Sequence, residues 1–376
     1  MNQKAISPRR FYLFLVAMFL ALAFFQLAIR EGNDQLALLA GVVPAVVVLG
    51  SLIPVRVFSL DRLLTSAALT LTAFGILAVA ALRPDEAHSL ALQSLASVAF
   101  LLPGVLLSRW LRPACSIAVI FGFLGLSMLS VPLVMPYLSF ACDMVSMLLL
   151  MVACTICMIR QKQVAAMLLS LSGAALMLLG QHPVSAIVWS LVFLSLMWAC
   201  SARPAVMFLV LSSTGLLFYG AWLINPELLW PDQTFIPVFS TRPSLFGPEQ
   251  ADAVPAISPF SLFPALTGRY GLILSGCVVL LYPLMMLRSV SLARASRSRF
   301  HGLLAAGLAM QLSFFAIGAL LYDMGIWPLQ SLPMPFMSED LPSMSACFLI
   351  TGMLGGIFSG NLQDLEDDIR LSSLAR

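Results

Sequence analysis

One acid stands alone in an apolar run, and it is the first candidate for chemistry. Asp143 lies in Ser139-Phe140-Ala141-Cys142-Asp143-Met144, and no other charge occurs between 139 and 159. A charged group inside a membrane-spanning segment is expensive and marks a functional position by default. Two readings of Asp143 stay open. It lines a cavity and meets a substrate headgroup or a cation, or it is a hydrogen-bonded side chain that pins two helices together. Cys154 and Cys157 form a C-x-x-C, but no second pair and no histidine accompany them, so they read as small packing residues. The seven cysteines fall in or beside apolar stretches, which argues against a disulfide framework. His88, His182 and His301 are scattered over separate connections and imply no metal site. A proton-driven pump would need a relay of buried charges, and Asp143 has no companions of that kind.

The elements that position these residues follow from composition. The chain has 376 residues, of which 60% are hydrophobic and only 10% charged. Ordinary soluble domains carry about 25% charged residues. A soluble enzyme, a disordered chain and a collagen-like repeat are all excluded. A spanning helix needs about 20 apolar residues. Twelve such stretches are readable: Phe11–Ile29, Leu36–Ile53, Leu60–Leu82, Ser89–Leu107, Ala114–Val134, Tyr137–Ile159, Val164–Gly180, Pro183–Cys200, Ala205–Ile224, Tyr270–Leu287, Leu303–Tyr322 and Pro342–Gly360. The expected fold class is an all-α polytopic membrane protein with about twelve transmembrane helices.

The positive-inside rule orients it. With the N-terminus in the cytoplasm, sixteen Lys and Arg fall inside and four (Arg30, Arg83, Arg242 and Arg269) outside. Both termini are then expected in the cytoplasm, and the apolar run near the N-terminus is expected as a retained span. Two connections expected outside are long: Asn225–Pro259, within the outer loop 225–259, and Asp323–Leu341, rich in Pro and acids. Long loops in a compact protein usually carry function.

The second loop and the helix before it carry a resemblance. Phe300–Ala309 reads F-H-G-L-L-A-A-G-L-A, and Gly325–Ser338 reads G-I-W-P-L-Q-S-L-P-M-P-F-M-S. The latter resembles the signature of the SEDS family (the FtsW/RodA/SpoVE group) at Gly325, Pro328, Leu332, Pro333, Pro335, Phe336 and Ser338. Leu245-Phe246-Gly247 is similar to a glycine-rich segment of the family's large outer loop. The resemblance implies a ten-helix core over residues 60–360, preceded by an extra helix pair in 1–59 and followed by a cytoplasmic tail, 361–376. It implies work on lipid II in peptidoglycan synthesis, cell shape or division, in a bacterial inner membrane. It also implies glycosyl transfer, in which a carboxylate activates the acceptor hydroxyl. A class B penicillin-binding protein is the expected partner beside membrane lipids. No nucleic acid and no cofactor are expected, and nothing in the sequence indicates a divalent cation.

The departures from the family pattern fall on the chemistry. Aligned without gaps, the family's Glu and catalytic Asp appear as Ala256 and Phe260, and neither can move a proton. Substitute carboxylates are Asp252 and Glu249 in the first outer loop, and Glu339 and Asp340 in the second. Arg242 and Arg269 are candidates to hold a pyrophosphate, since guanidinium groups bind such oxygens in pairs. With Asp143, Pro333, Pro335, Phe336 and Ser338 they make up the expected substrate-binding set. Two outcomes follow: a glycosyltransferase whose carboxylate has moved to Asp252 or Asp340, or a catalytically degenerate partner of a penicillin-binding protein. The alternative from another class is a transporter or flippase of polyprenyl-linked sugars, which should line a path with polar groups through several spans.

Overall fold

The computed structural model describes residues 8–111, 113–133, 135, 138–201, 204–226, 245, 262–296, 298–324, 326 and 332–374. Among them, ten helices are long and apolar enough to cross a membrane, and two shorter apolar helices, Cys115–Met128 and Gln163–Leu179, complete the expected twelve. The chain is an all-α polytopic membrane protein. In order, the helices are α1 (Pro8–Glu31), α2 (Asp34–Phe58), α3 (Arg62–Leu82), α4 (Ala87–Val98), α5 (Leu101–Trp110), α6 (Cys115–Met128), α7 (Ser139–Ile159), α8 (Gln163–Leu179), α9 (Pro183–Ser201), α10 (Pro204–Ile224), α11 (Leu262–Ala295), α12 (Arg299–Asp323) and α13 (Leu341–Leu374). Helices α4 and α5 together make one span, Ala87–Trp110.

The helix starts follow local chemistry. Asn33 caps α2 by accepting from the Gln35 N–H at 2.9 Å. Asp61 caps α3 by accepting from the N–H groups of Leu63 and Leu64 at 3.0 and 3.2 Å. Helix α11 begins earlier than its apolar stretch suggests. It is two helical pieces broken at Gly271, whose φ of 85° suits glycine, so Leu262–Tyr270 leads into the span at an angle.

Burial separates centre from periphery. In α3, 94% of the spanning window is buried inside the protein, against 28% in α1 and in α2. Helix α3 is therefore a central post, and the first two helices lie along one side of it. The tightest seam joins α5 to α13. A Cβ on Gly352 would come 2.3 Å from the Leu101 carbonyl oxygen, and one on Gly104 would come 2.3 Å from that of Leu349. Small residues allow backbones to approach this closely, and van der Waals packing of this kind drives helix association in lipid.

Arginines fasten one end of the bundle. Arg288 on α11 donates to Asp61 at 3.0 Å through Nε and 2.6 Å through Nη2. Arg109 donates to the Ser359 hydroxyl at 2.9 Å, Arg160 to the Pro113 carbonyl at 2.7 Å, and Arg299 to the Cys200 carbonyl at 3.0 Å. All four belong to the sixteen cations expected on the cytoplasmic side. The opposite end, called the rim below, carries the α3–α4 and α8–α9 turns and the segment 332–340.

Candidate functional site

Residues 332–338 form the most unusual backbone in the described part of the molecule. They are not helical, and all seven are buried. Irregular backbone at such depth is tolerated only where protein or a cavity surrounds it. Pro333 and Pro335 help, because neither has an N–H to satisfy. The Pro335 carbonyl accepts from the Tyr282 hydroxyl on α11 at 2.7 Å, and the Met337 N–H donates to the Met334 carbonyl at 3.0 Å. Phe336 has a φ of 66°, a left-handed conformation rare for a bulky residue. Its buried ring is held edge-on to Phe348 of α13, with centroids 5.6 Å apart. The segment leans on α3 where α3 is bare: a Cβ on Gly75 would lie 3.1 Å from the Met337 Cα.

Charge gathers directly above this segment. Arg83, at the C-terminal end of α3, donates to Glu86 at 2.7 Å and to Glu339 at 2.5 Å. Burial raises the Glu339 carboxyl above its ordinary value, and the Arg83 charge only partly opposes this. A carboxyl held high is closer to the working range of a general acid or base. Asp340 has a different task. One of its oxygens accepts from the Ser338 hydroxyl, and the other accepts from the Ser343 hydroxyl and from the Ser343 N–H at 3.0 Å. It caps α13, and this engages both oxygens.

A second polar group lies deeper, joined to the first through sulfur and aromatic contacts. Cys347 of α13 touches the Phe336 backbone and lies 3.7 Å from the Met144 sulfur on α7. Met144 follows Asp143. The Asp143 side chain is buried, its Oδ2 lies 3.8 Å from His182 Nδ1, and Ser185 of α9 is its hydrogen-bond partner. Burial lowers the His182 pKa, so the imidazole is neutral at pH 7. Gln311 of α12 donates to the Met144 carbonyl at 2.9 Å. Asp143 Oδ1 and Gln311 Oε1 are both buried without a protein donor. Turning the Gln311 amide over would set oxygen against the Met144 carbonyl oxygen, so its Oε1 keeps this position. Both readings of Asp143 meet here: it links α7 to α9, and it keeps one oxygen available to a donor.

The structure thus joins Pro333, Pro335, Phe336, Ser338 and Asp340 at one place, with Asp143 two contacts away. Arg269 stands apart on α11, paired with Glu31 at the end of α1 at 3.3 Å. Asp252, Glu249, Arg242, Ala256 and Phe260 lie outside the described residues. Sequence reading missed Arg83, Tyr282 and Gln311. Gln311 had a signal, as a lone amide in an apolar span. Arg83 and Tyr282 had none, since Glu339 and Pro335, which they meet in the site, are far away in the chain.

Comparison with known proteins follows the same geography. Residues 249–359 match the family described as "Cell cycle protein" (FtsW/RodA/SpoVE). Over 123 residues, 32% of this chain and 26% of the relative, the chain is 31% identical to the peptidoglycan glycosyltransferase RodA of Mycobacterium tuberculosis. It is 32% identical to that of Mycobacterium leprae over 114 residues, 30% of this chain and 24% of the relative. The chain therefore spans about a quarter of the length of these curated relatives. Among solved structures, one describing how a peptidoglycan synthase complex coordinates polymerization and crosslinking contains a similar chain. The TM-score is 0.63 at 18% identity, covering 81% of this chain and 99% of that one. The rod shape determining protein RodA of Thermus thermophilus superposes with a TM-score of 0.58 at 19% identity, covering 81% of this chain and 98% of that one. At these identities the likeness is one of fold.

Proposed function

We propose that this chain, which belongs to the FtsW/RodA/SpoVE family, works in peptidoglycan synthesis by holding a lipid-linked glycan precursor such as lipid II at its rim. The observation that carries this reading is the buried segment 332–338, seated on α3, α11 and α13 within the stretch that matches the family. The rim then faces the exoplasmic side of a bacterial inner membrane, as the sixteen-to-four distribution of cations favours. The precursor's headgroup meets Arg83 and the acids around it. The partner is a class B penicillin-binding protein, the kind of association that the peptidoglycan synthase complex with a similar chain suggests.

Within that role, the residues favour a member that binds precursor and does not polymerise it. The family's Glu and Asp stand here as Ala256 and Phe260. Asp340 is engaged as a cap and Glu339 as an ion pair. Asp252 and Glu249 are the remaining sequence candidates for a relocated carboxylate. A flippase is less well supported, because the deep polar groups described here form one cluster around Asp143 rather than a path. The test is purified protein with labelled lipid II, alone and with a class B penicillin-binding protein that lacks polymerase activity of its own. Retention of lipid II without polymer is the expected result. Polymer that vanishes in Asp252→Ala or Glu339→Ala would give the chain a catalytic carboxylate and overturn the non-polymerising role.

A further inference from the structure

We propose that Asp143 of α7 and Gln311 of α12 hold a monovalent metal cation beneath the rim. A surplus of acceptors points to it. Asp143 is 1% exposed and Gln311 0%. Asp143 Oδ1 and Gln311 Oε1 are both shut away from solvent, and neither has a donor in the protein. An acceptor buried in this way is costly, and a charged one more so. The two belong to one neighbourhood, because the Gln311 amide nitrogen rests on the carbonyl of Met144, the residue after Asp143, at 2.9 Å. Nearby hydroxyls are spent elsewhere. Ser146 donates to the Asp143 carbonyl at 2.9 Å, and Ser313 to the Ala309 carbonyl at 2.8 Å. Ser185 of α9 serves the other Asp143 oxygen.

Charge selects the ligand. Helices α7, α8 and α9 contain no Lys or Arg. Arg299 starts α12 about 18 Å from Gln311 along the axis, and it donates to the Cys200 carbonyl. His182 Nδ1 stands 3.8 Å from Asp143 Oδ2, beyond hydrogen-bonding distance, and the imidazole is neutral. Among the described residues, then, the carboxylate has no cationic partner. One positive charge balances it, whereas a divalent ion would leave an excess charge in apolar surroundings. A carboxylate oxygen and an amide oxygen suit a hard cation rather than a thiophilic metal.

Position gives the ion a route and a task. Asp143 lies four residues into α7, about 6 Å from its start at Ser139. His182, in the α8–α9 turn at the rim, is 14% exposed and stands beside it. An ion entering there would join α7 to α12, and through Ser185 to α9. It would brace the floor beneath segment 332–338, which Cys347 connects to Met144. The site is separate from the ion pairs of Arg83, and the inference does not rest on the precursor-binding role.

The experiment melts the purified full chain in choline chloride, sodium chloride and potassium chloride at equal ionic strength. Bound ions are counted with radioactive sodium and rubidium. The expected result is a saturable rise in melting point in sodium or potassium over choline, with one ion bound per chain. At a hundred times the dissociation constant, the folded-to-unfolded ratio should rise about a hundredfold. Asp143→Asn, which removes the charge, and Gln311→Met, which removes the amide oxygen, should each lose this response. Equal melting points in the three salts would overturn the site. So would a response kept in both variants, or one given by magnesium alone. If Asp143→Asn fails to fold, Gln311→Met and the ion count on the unaltered chain decide, and a chain that binds no ion overturns the proposal.

Discussion

Phe336 holds a backbone conformation that a bulky residue rarely adopts. Left-handed φ costs a non-glycine residue about 1 kcal/mol, and the ring packed on Phe348 holds it there. Two substitutions separate these effects. Phe336→Ala should destabilise by about 3–5 kcal/mol, because a large buried ring is lost. Phe336→Gly should lose about 1 kcal/mol less, since glycine adopts this φ without strain. Thermal melts of the two variants in one detergent check the order, and equal melting points would remove the strain argument. Glu339 gives a pH prediction. Its folded pKa is raised, so its contribution to stability is present at low pH and is lost as pH rises through the raised value. The melting point of the protein relative to Glu339→Gln should therefore fall as pH climbs from below the ordinary carboxylate value to above the raised one. A difference that grows with pH would mean that the Arg83 ion pair outweighs burial. At this scale the sequence was only partly legible. Asp143 was conspicuous because charge in an apolar run is conspicuous. The pairing of Arg83 with Glu339 was hidden, because it needs the loop to fold back on α3.

At the level of helices, spans were readable because lipid demands long apolar runs, and all twelve stretches coincide with helices or helix pairs. Their partners were not readable. Nothing in the local pattern of Leu101–Trp110 announces α13, yet the two backbones nearly touch. The glycines hold that information. Gly352→Ala and Gly104→Ala should each push the helices apart, costing about 1–3 kcal/mol and lowering the yield of monodisperse protein. Gly276→Ala on α11 meets open space and should be neutral or slightly stabilising. Size-exclusion profiles and melting points of the three variants give the comparison, and equal behaviour would refute close backbone packing. The break at Gly271 escaped sequence reading because one glycine in an apolar helix does not by itself specify a positive φ.

For the whole molecule, placement decides. An irregular, proline-stiffened segment is buried at one end of a helical bundle, beneath a guanidinium shared by two acids. Those features suit a lipid with a charged head. The most direct measurement is equilibrium binding of lipid II to the purified chain in nanodiscs, read against empty discs and against a phospholipid of equal charge. Saturable binding that weakens about tenfold in Arg83→Ala is predicted. Uptake no greater than that of empty discs, or no preference over the phospholipid, would contradict it.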